Sequence, residues 1–167
     1  MNRKTNVRNM MIITMLMAMS IVFHLIEPVL PIPVPGVKLG LANILGLIAL
    51  MLFGVKTMFA VNLSRVLIAS LLRGILFGTG FWVSLSGVLI STTFVALLYK
   101  TNKFSLVGLS IAAAAFHNIG QIMMIIVIYS SIFMIYWMPP LIWLSIPTGL
   151  LTGSLAQGAL QRLRFQK

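Results

Sequence analysis

The chain contains no cysteine and no aspartate, and Glu27 is the only carboxylate side chain among its 167 residues. Without cysteine there is no disulfide, no thiolate metal site and no thiol nucleophile. With one carboxylate there is no pair for general acid–base work and no carboxylate cage for magnesium, which argues against most hydrolases and phosphoryl-transfer enzymes. His24 and His117 are the only histidines, too few with that single acid to make a convincing ligand set, so no metal is expected. A Gly-x-x-x-x-Gly-Lys-Ser/Thr phosphate loop is also missing, so the chain is not itself such an ATPase. The expectation is a non-enzyme with no catalytic residue and no cofactor.

Charge is scarce at 8%, yet Lys and Arg outnumber the acid twelve to one. That excess does not point to nucleic acid, because the basic residues gather between apolar runs rather than along one soluble face. Apolar surface is what the chain has in quantity. It is 60% apolar with a mean hydropathy of +1.09, so its solvent is membrane lipid rather than water.

Six runs are long enough to serve as helices across a hydrocarbon core of roughly 30 Å. They extend from Met10 to Ile26, Val37 to Phe53, Thr57 to Leu72, Phe81 to Tyr99, Phe104 to Tyr129 and Leu141 to Leu160, the last after a break at Pro139 and Pro140. The fold expected is an all-α integral membrane protein, a six-transmembrane-helix bundle forming one domain over residues 1–167. Arg3, Lys4 and Arg8 precede the first run as in a signal peptide, but no small-x-small cleavage site follows, so the run is read as a retained helix. The second and third runs are short and call for burial among neighbours or local thinning of the bilayer.

Orientation follows from the basic residues. With the N-terminus inside, nine of the twelve fall on cytoplasmic segments, leaving Lys38, Arg65 and Arg73 as exceptions. Both termini are therefore expected in the cytoplasm of a multi-pass protein of the cell membrane. Pro28, Pro31, Pro33 and Pro35 predict a stiff, extended external flap ending at Gly36.

The exceptions select a candidate site. Arg65 sits mid-run, where a charge costs on the order of 3 kcal/mol unless it meets a partner or water. Asn62, Arg65, Ala69 and Arg73 are spaced by three, four and four, one helical stripe that reads as the wall of a polar cavity. Two explanations stand: Arg65 pairs with Glu27 or backbone carbonyls and holds the bundle together, or it contacts a ligand. His117, Asn118 and Gln121 form a second polar group midway along the fifth run, serving either as interhelical hydrogen bonds or as ligand contacts, with Gly120 beside them allowing close helix approach. His24, Glu27 and Lys38 flank the proline flap, where solvation or snorkelling would account for each singly. Together Lys38, Arg65 and Arg73 outnumber Glu27 and favour an anionic or zwitterionic ligand, with Asn43, Asn62, His117, Asn118 and Gln121 supplying oriented hydrogen bonds. The aromatics Phe77, Phe81, Trp82, Phe133, Tyr136 and Trp137 are read as interface belts, and Ser86-Gly87, Gly149, Gly153 and Gly158 as points of close helix contact.

The stretch Pro33-Val34-Pro35-Gly36-Val37-Lys38-Leu39-Gly40-Leu41-Ala42-Asn43, with His117-Asn118-Ile119-Gly120-Gln121, resembles the Gx transporter family, also called heptaprenyl diphosphate synthase component I. That family is similar to the substrate-binding S-components of energy-coupling factor (ECF) transporters. The resemblance implies a ligand held toward the external face, under the loop between helices one and two. It also implies partners: an ECF transmembrane coupling protein and two cytoplasmic ATPase subunits. S-components typically dock through Ala-x-x-x-Ala in helix one, and Thr14-x-x-x-Ala18, with Ser20 close by, is the nearest equivalent here. Prenyltransferases that elongate chains carry aspartate-rich motifs, which a chain without Asp cannot supply. The expected function is uptake of a small anionic or zwitterionic molecule, vitamin- or isoprenoid-related, powered by separate ATPases. The alternative is an accessory membrane subunit in quinone- or flavin-linked extracellular electron transfer or in isoprenoid-quinone metabolism.

Overall fold

The computed structural model describes residues 3–27 and 40–165, almost all of them helical. The elements are α1 (Arg3–Ile26), α2 (Leu41–Phe53), α3 (Val55–Leu72), α4 (Thr79–Lys100), α5 (Leu106–Tyr129), a 3-10 helix (Ile132–Trp137) and α6 (Met138–Phe165). Five of the helices are long and apolar enough to cross a membrane, and α2 is a shorter apolar helix. Six helices thus match the six runs in the sequence. The proline-rich stretch predicted as a flap, with Lys38, lies outside the described residues.

At 13 residues α2 is about 20 Å long, well short of a roughly 30 Å core. Burial among neighbours is how the bundle accommodates it. Packed against α1, α3, α5 and α6, it is buried without interruption from Ile44 to Leu50. A helix apolar on every side belongs in such a position. Helices around it turn Met10, Leu71, Leu97, Val127 and Leu150 outward, the arrangement expected of side chains facing lipid.

From α2 onward the connections between helices are short. Gly54 alone joins α2 to α3 with φ at 88°, a conformation that disfavours any residue with a Cβ. Pro139 and Pro140 do not separate two elements, as the sequence suggested; they occupy the first turn of α6, where a missing N–H costs no helical bond. The 3-10 helix before them was not anticipated.

Small residues set the closest helix approaches. A Cβ on Gly120 of α5 would lie 2.8 Å from Gly87 Cα of α4, and Ser86 Oγ donates to the Gly120 carbonyl at 2.8 Å. On α6, a Cβ on Gly149 would lie 2.5 Å from Ile111 Cα, and one on Gly153 2.9 Å from Val107 Cα. Gly158 differs from the expectation: nothing lies within 4 Å of its Cβ position, so it makes no close contact. Of the aromatics read as belts, Phe81 is instead buried, edge-on to Phe77 and Trp82, while Phe77, Trp82, Phe133, Tyr136 and Trp137 are exposed.

Candidate functional site

Because α2 is short, its N-terminus stops inside the bundle, and helix N-termini leave backbone N–H groups without helical partners. The carboxylate of Glu27, just past the end of α1, answers them. Its Oε1 accepts from the N–H groups of Gly40 and Leu41, the latter at 3.3 Å. Glu27 is buried, and a negative charge at this pole is also favoured by the helix dipole. The only acid in the chain therefore fixes where α2 begins.

Next to that pole a cavity of about 30 Å³ lies among α1, α2, α3, α5 and α6. His24, Glu27, Asn43, Arg65, His117 and Asn118 all line it. The structure thus brings together residues predicted from four separate places in the sequence. Ser110, Thr148 and Thr152 also line it and were not predicted. Their sequence signal is weak because Ser and Thr in apolar helices commonly bond their own backbone. Thr148 and Thr152 do so here, to the carbonyls of Leu144 and Thr148 at 2.8 and 2.9 Å.

Arg65 dominates the electrostatics. It is only 2% exposed, and its Nη2 donates to Asn43 Oδ1 at 2.7 Å. Its Nε and Nη1 are buried, and among the described residues no group accepts from them. Arg65 therefore makes no hydrogen bond to Glu27, whose acceptor oxygen is turned to α2. The helix-glue explanation requires those bonds to be made within the protein. A guanidinium with two unmet donors is instead a strong attractor for an oxygen anion or for water.

The rest of the predicted set divides. Asn62 donates to Thr92 Oγ1 at 3.0 Å, and its Oδ1 presses on Gly46, where a Cβ would come within 2.4 Å of it. It lines a second, smaller cavity of about 10 Å³ that shares Asn43 with the first. Gln121 is buried against Gly87 and lines neither cavity. Asn118 Nδ2 is held by the Leu141 carbonyl and Ser145 Oγ, each at 3.0 Å.

Arg73 stands outside the cavity. Its Nη2 donates to the carbonyls of His24 and Leu25 at 2.6 and 2.8 Å, satisfying the exposed acceptors at the C-terminus of α1. The stripe from Asn62 to Arg73 is thus one helix face with three different tasks. Among the described residues, no three His, Cys, Asp or Glu side chains come together as metal ligands would.

Thr14 and Ala18 lie on the outer face of α1, bordering a groove of about 540 Å³ with Val7, Met10, Met11 and Met15. Thr14 Oγ1 is bonded to the Met10 carbonyl at 2.9 Å, leaving a methyl to present outward. Ser20, by contrast, is turned inward onto the Ala42 carbonyl.

Apolar helices packed around a buried, partly unsatisfied guanidinium define a multi-pass membrane protein with an enclosed polar site. The chain belongs to the heptaprenyl diphosphate synthase component I family, whose model matches residues 16–159. No curated protein and no solved structure matches it.

Proposed function

We propose that the protein is the substrate-binding subunit of an uptake system in the cell membrane, with both termini in the cytoplasm and the Arg65 cavity reached from outside. The observation that carries this reading is Arg65, buried with two donors that no group among the described residues satisfies. An anionic or zwitterionic ligand supplies the missing acceptor. Asn43 holds the guanidinium in place, while His24, His117 and the Thr152 side of α6 complete the wall.

With Arg73 bonded to α1, the charge balance differs from that of three cations around one acid. Arg65 and Glu27 are the charged side chains lining the described cavity, which favours a zwitterion or a mono-anion over a polyanion. About 30 Å³ is room for about two waters, so it admits one polar group of a ligand, and entry of a whole molecule opens this end of the bundle. Energy for that movement comes from a separate coupling protein and ATPase subunits, docked on the Thr14–Ala18 face of α1.

A second reading is favoured by the family description itself, which names a component of a prenyl diphosphate synthase. In that role the chain is an accessory subunit of isoprenoid-quinone metabolism and not the elongating enzyme, since its one acid is committed to α2. Affinity purification from native membranes separates the two. Uptake predicts that wild-type protein brings down a membrane coupling protein with phosphate-loop ATPases, and that Thr14→Trp loses them. Recovery of a prenyl or quinone enzyme with no ATPase would overturn the uptake reading.

A further inference from the structure

A separate groove, away from the Arg65 site, opens between α1 and α6 toward the start of α1 and the end of α6. Its volume is about 510 Å³. Ile44, Leu45 and Ile48 of α2 form a buried apolar floor. Ile12, Met19 and Phe23 of α1 make one wall, and Ala159 and Arg162 of α6 belong to the other.

Three features narrow what occupies it. The first is length: from Ile12 to Phe23 α1 rises about 16 Å, close to the roughly 15 Å thickness of one leaflet's hydrocarbon. The second is polarity, because the lining is apolar except at the end where Arg162 is exposed. Arg8, also exposed, lies one turn before Ile12 on the α1 stripe that continues through Met15, Met19 and Phe23. The third is charge. Asp is absent and Glu27 is spent on α2 at the opposite end of α1, so no acidic side chain of this protein can neutralise Arg8 or Arg162. Both arginines are therefore open to an anionic group from outside the chain.

We propose that this groove is a binding site for one anionic phospholipid of the leaflet on the side of the termini. An acyl chain lies along the α2 floor, and the phosphodiester headgroup sits between Arg8 and Arg162. The site does not depend on the ligand or the energy source of the Arg65 cavity. It would fix α1 against α6 across α2, the side of the bundle where the two helices are separated by the groove.

The test is native mass spectrometry of delipidated full-length protein titrated with dioleoyl phosphatidylglycerol or dioleoyl phosphatidylcholine. The expected result is one phosphatidylglycerol retained in preference to phosphatidylcholine. Arg162→Gln should lower phosphatidylglycerol affinity about fivefold, the effect of one basic residue at an anionic headgroup, while leaving phosphatidylcholine unchanged. Arg162→Lys should retain the preference, and Ala159→Trp, which fills the groove, should weaken both lipids. Arg162 is exposed, so its replacement leaves the core intact, and size-exclusion chromatography verifies the fold. Equal retention of the two lipids by wild type, or an unchanged preference in Arg162→Gln, would overturn the proposal. So would a co-purifying protein chain that covers this face and excludes phosphatidylglycerol.

Discussion

Arg65 and Arg73 belong to one stripe of α3, yet they are held in opposite ways. Arg73 reaches two carbonyls at the end of α1, whereas Arg65 keeps two donors that no group among the described residues meets. Charge-assisted bonds of this kind contribute about 1.5–3 kcal/mol each. Arg73→Ala should therefore act on stability, lowering the melting temperature in detergent by several degrees, with Arg73→Lys recovering part of it. Equal melting of Arg73→Ala and wild type would contradict this assignment. Glu27 gives a related expectation. Glu27→Gln keeps an acceptor oxygen but removes the charge at the α2 terminus, costing about 0.5–1 kcal/mol, while Glu27→Leu removes both and costs more. Thermal unfolding monitored by tryptophan fluorescence should rank wild type, Gln and Leu in that order. Which residues were legible follows the same physics. Polar side chains in apolar runs advertise themselves by their cost, which is how Arg65, Asn43, His117 and Asn118 could be found. Arg73 looked the same in sequence, because its partners are backbone carbonyls of a distant helix and carry no side-chain signature.

The helices themselves were readable, since length and hydropathy decide where a chain can cross lipid. Their ends were less so. Pro139 and Pro140 punctuate a chain equally well as a break or as a first turn, and the structure starts α6 at Met138, ahead of both. Glycines divide for a similar reason. Gly149 and Gly158 are alike in sequence, but Gly149 faces the backbone of α5 and Gly158 faces open space. Gly149→Leu should force α5 and α6 apart at Ile111 and cost about 1–3 kcal/mol, roughly 2–10 °C in melting temperature, whereas Gly158→Leu should be nearly silent. Similar melting of these two variants would contradict the packing described.

For the molecule as a whole, the short α2 links stability to function. Its N-terminus gathers Glu27, Asn43 and Arg65 at the edge of a cavity that it shares with α1, α3, α5 and α6. The absence of native cysteine makes the proposed orientation directly testable. Asn102→Cys, between α4 and α5, should be labelled by an impermeant maleimide only from the cytoplasmic side, and Gly78→Cys, between α3 and α4, only from outside. The reverse pattern would invert the topology and move the site to the cytoplasmic half.

In the proposed uptake role, Arg65 holds the ligand. Native mass spectrometry of freshly purified wild type and Arg65→Ala, each monodisperse in detergent, tests it most directly. Wild type should carry a small non-lipid adduct that is lost from the variant. An adduct retained equally by Arg65→Ala, or folding lost with that substitution while wild type carries no small molecule at any added concentration, would contradict it.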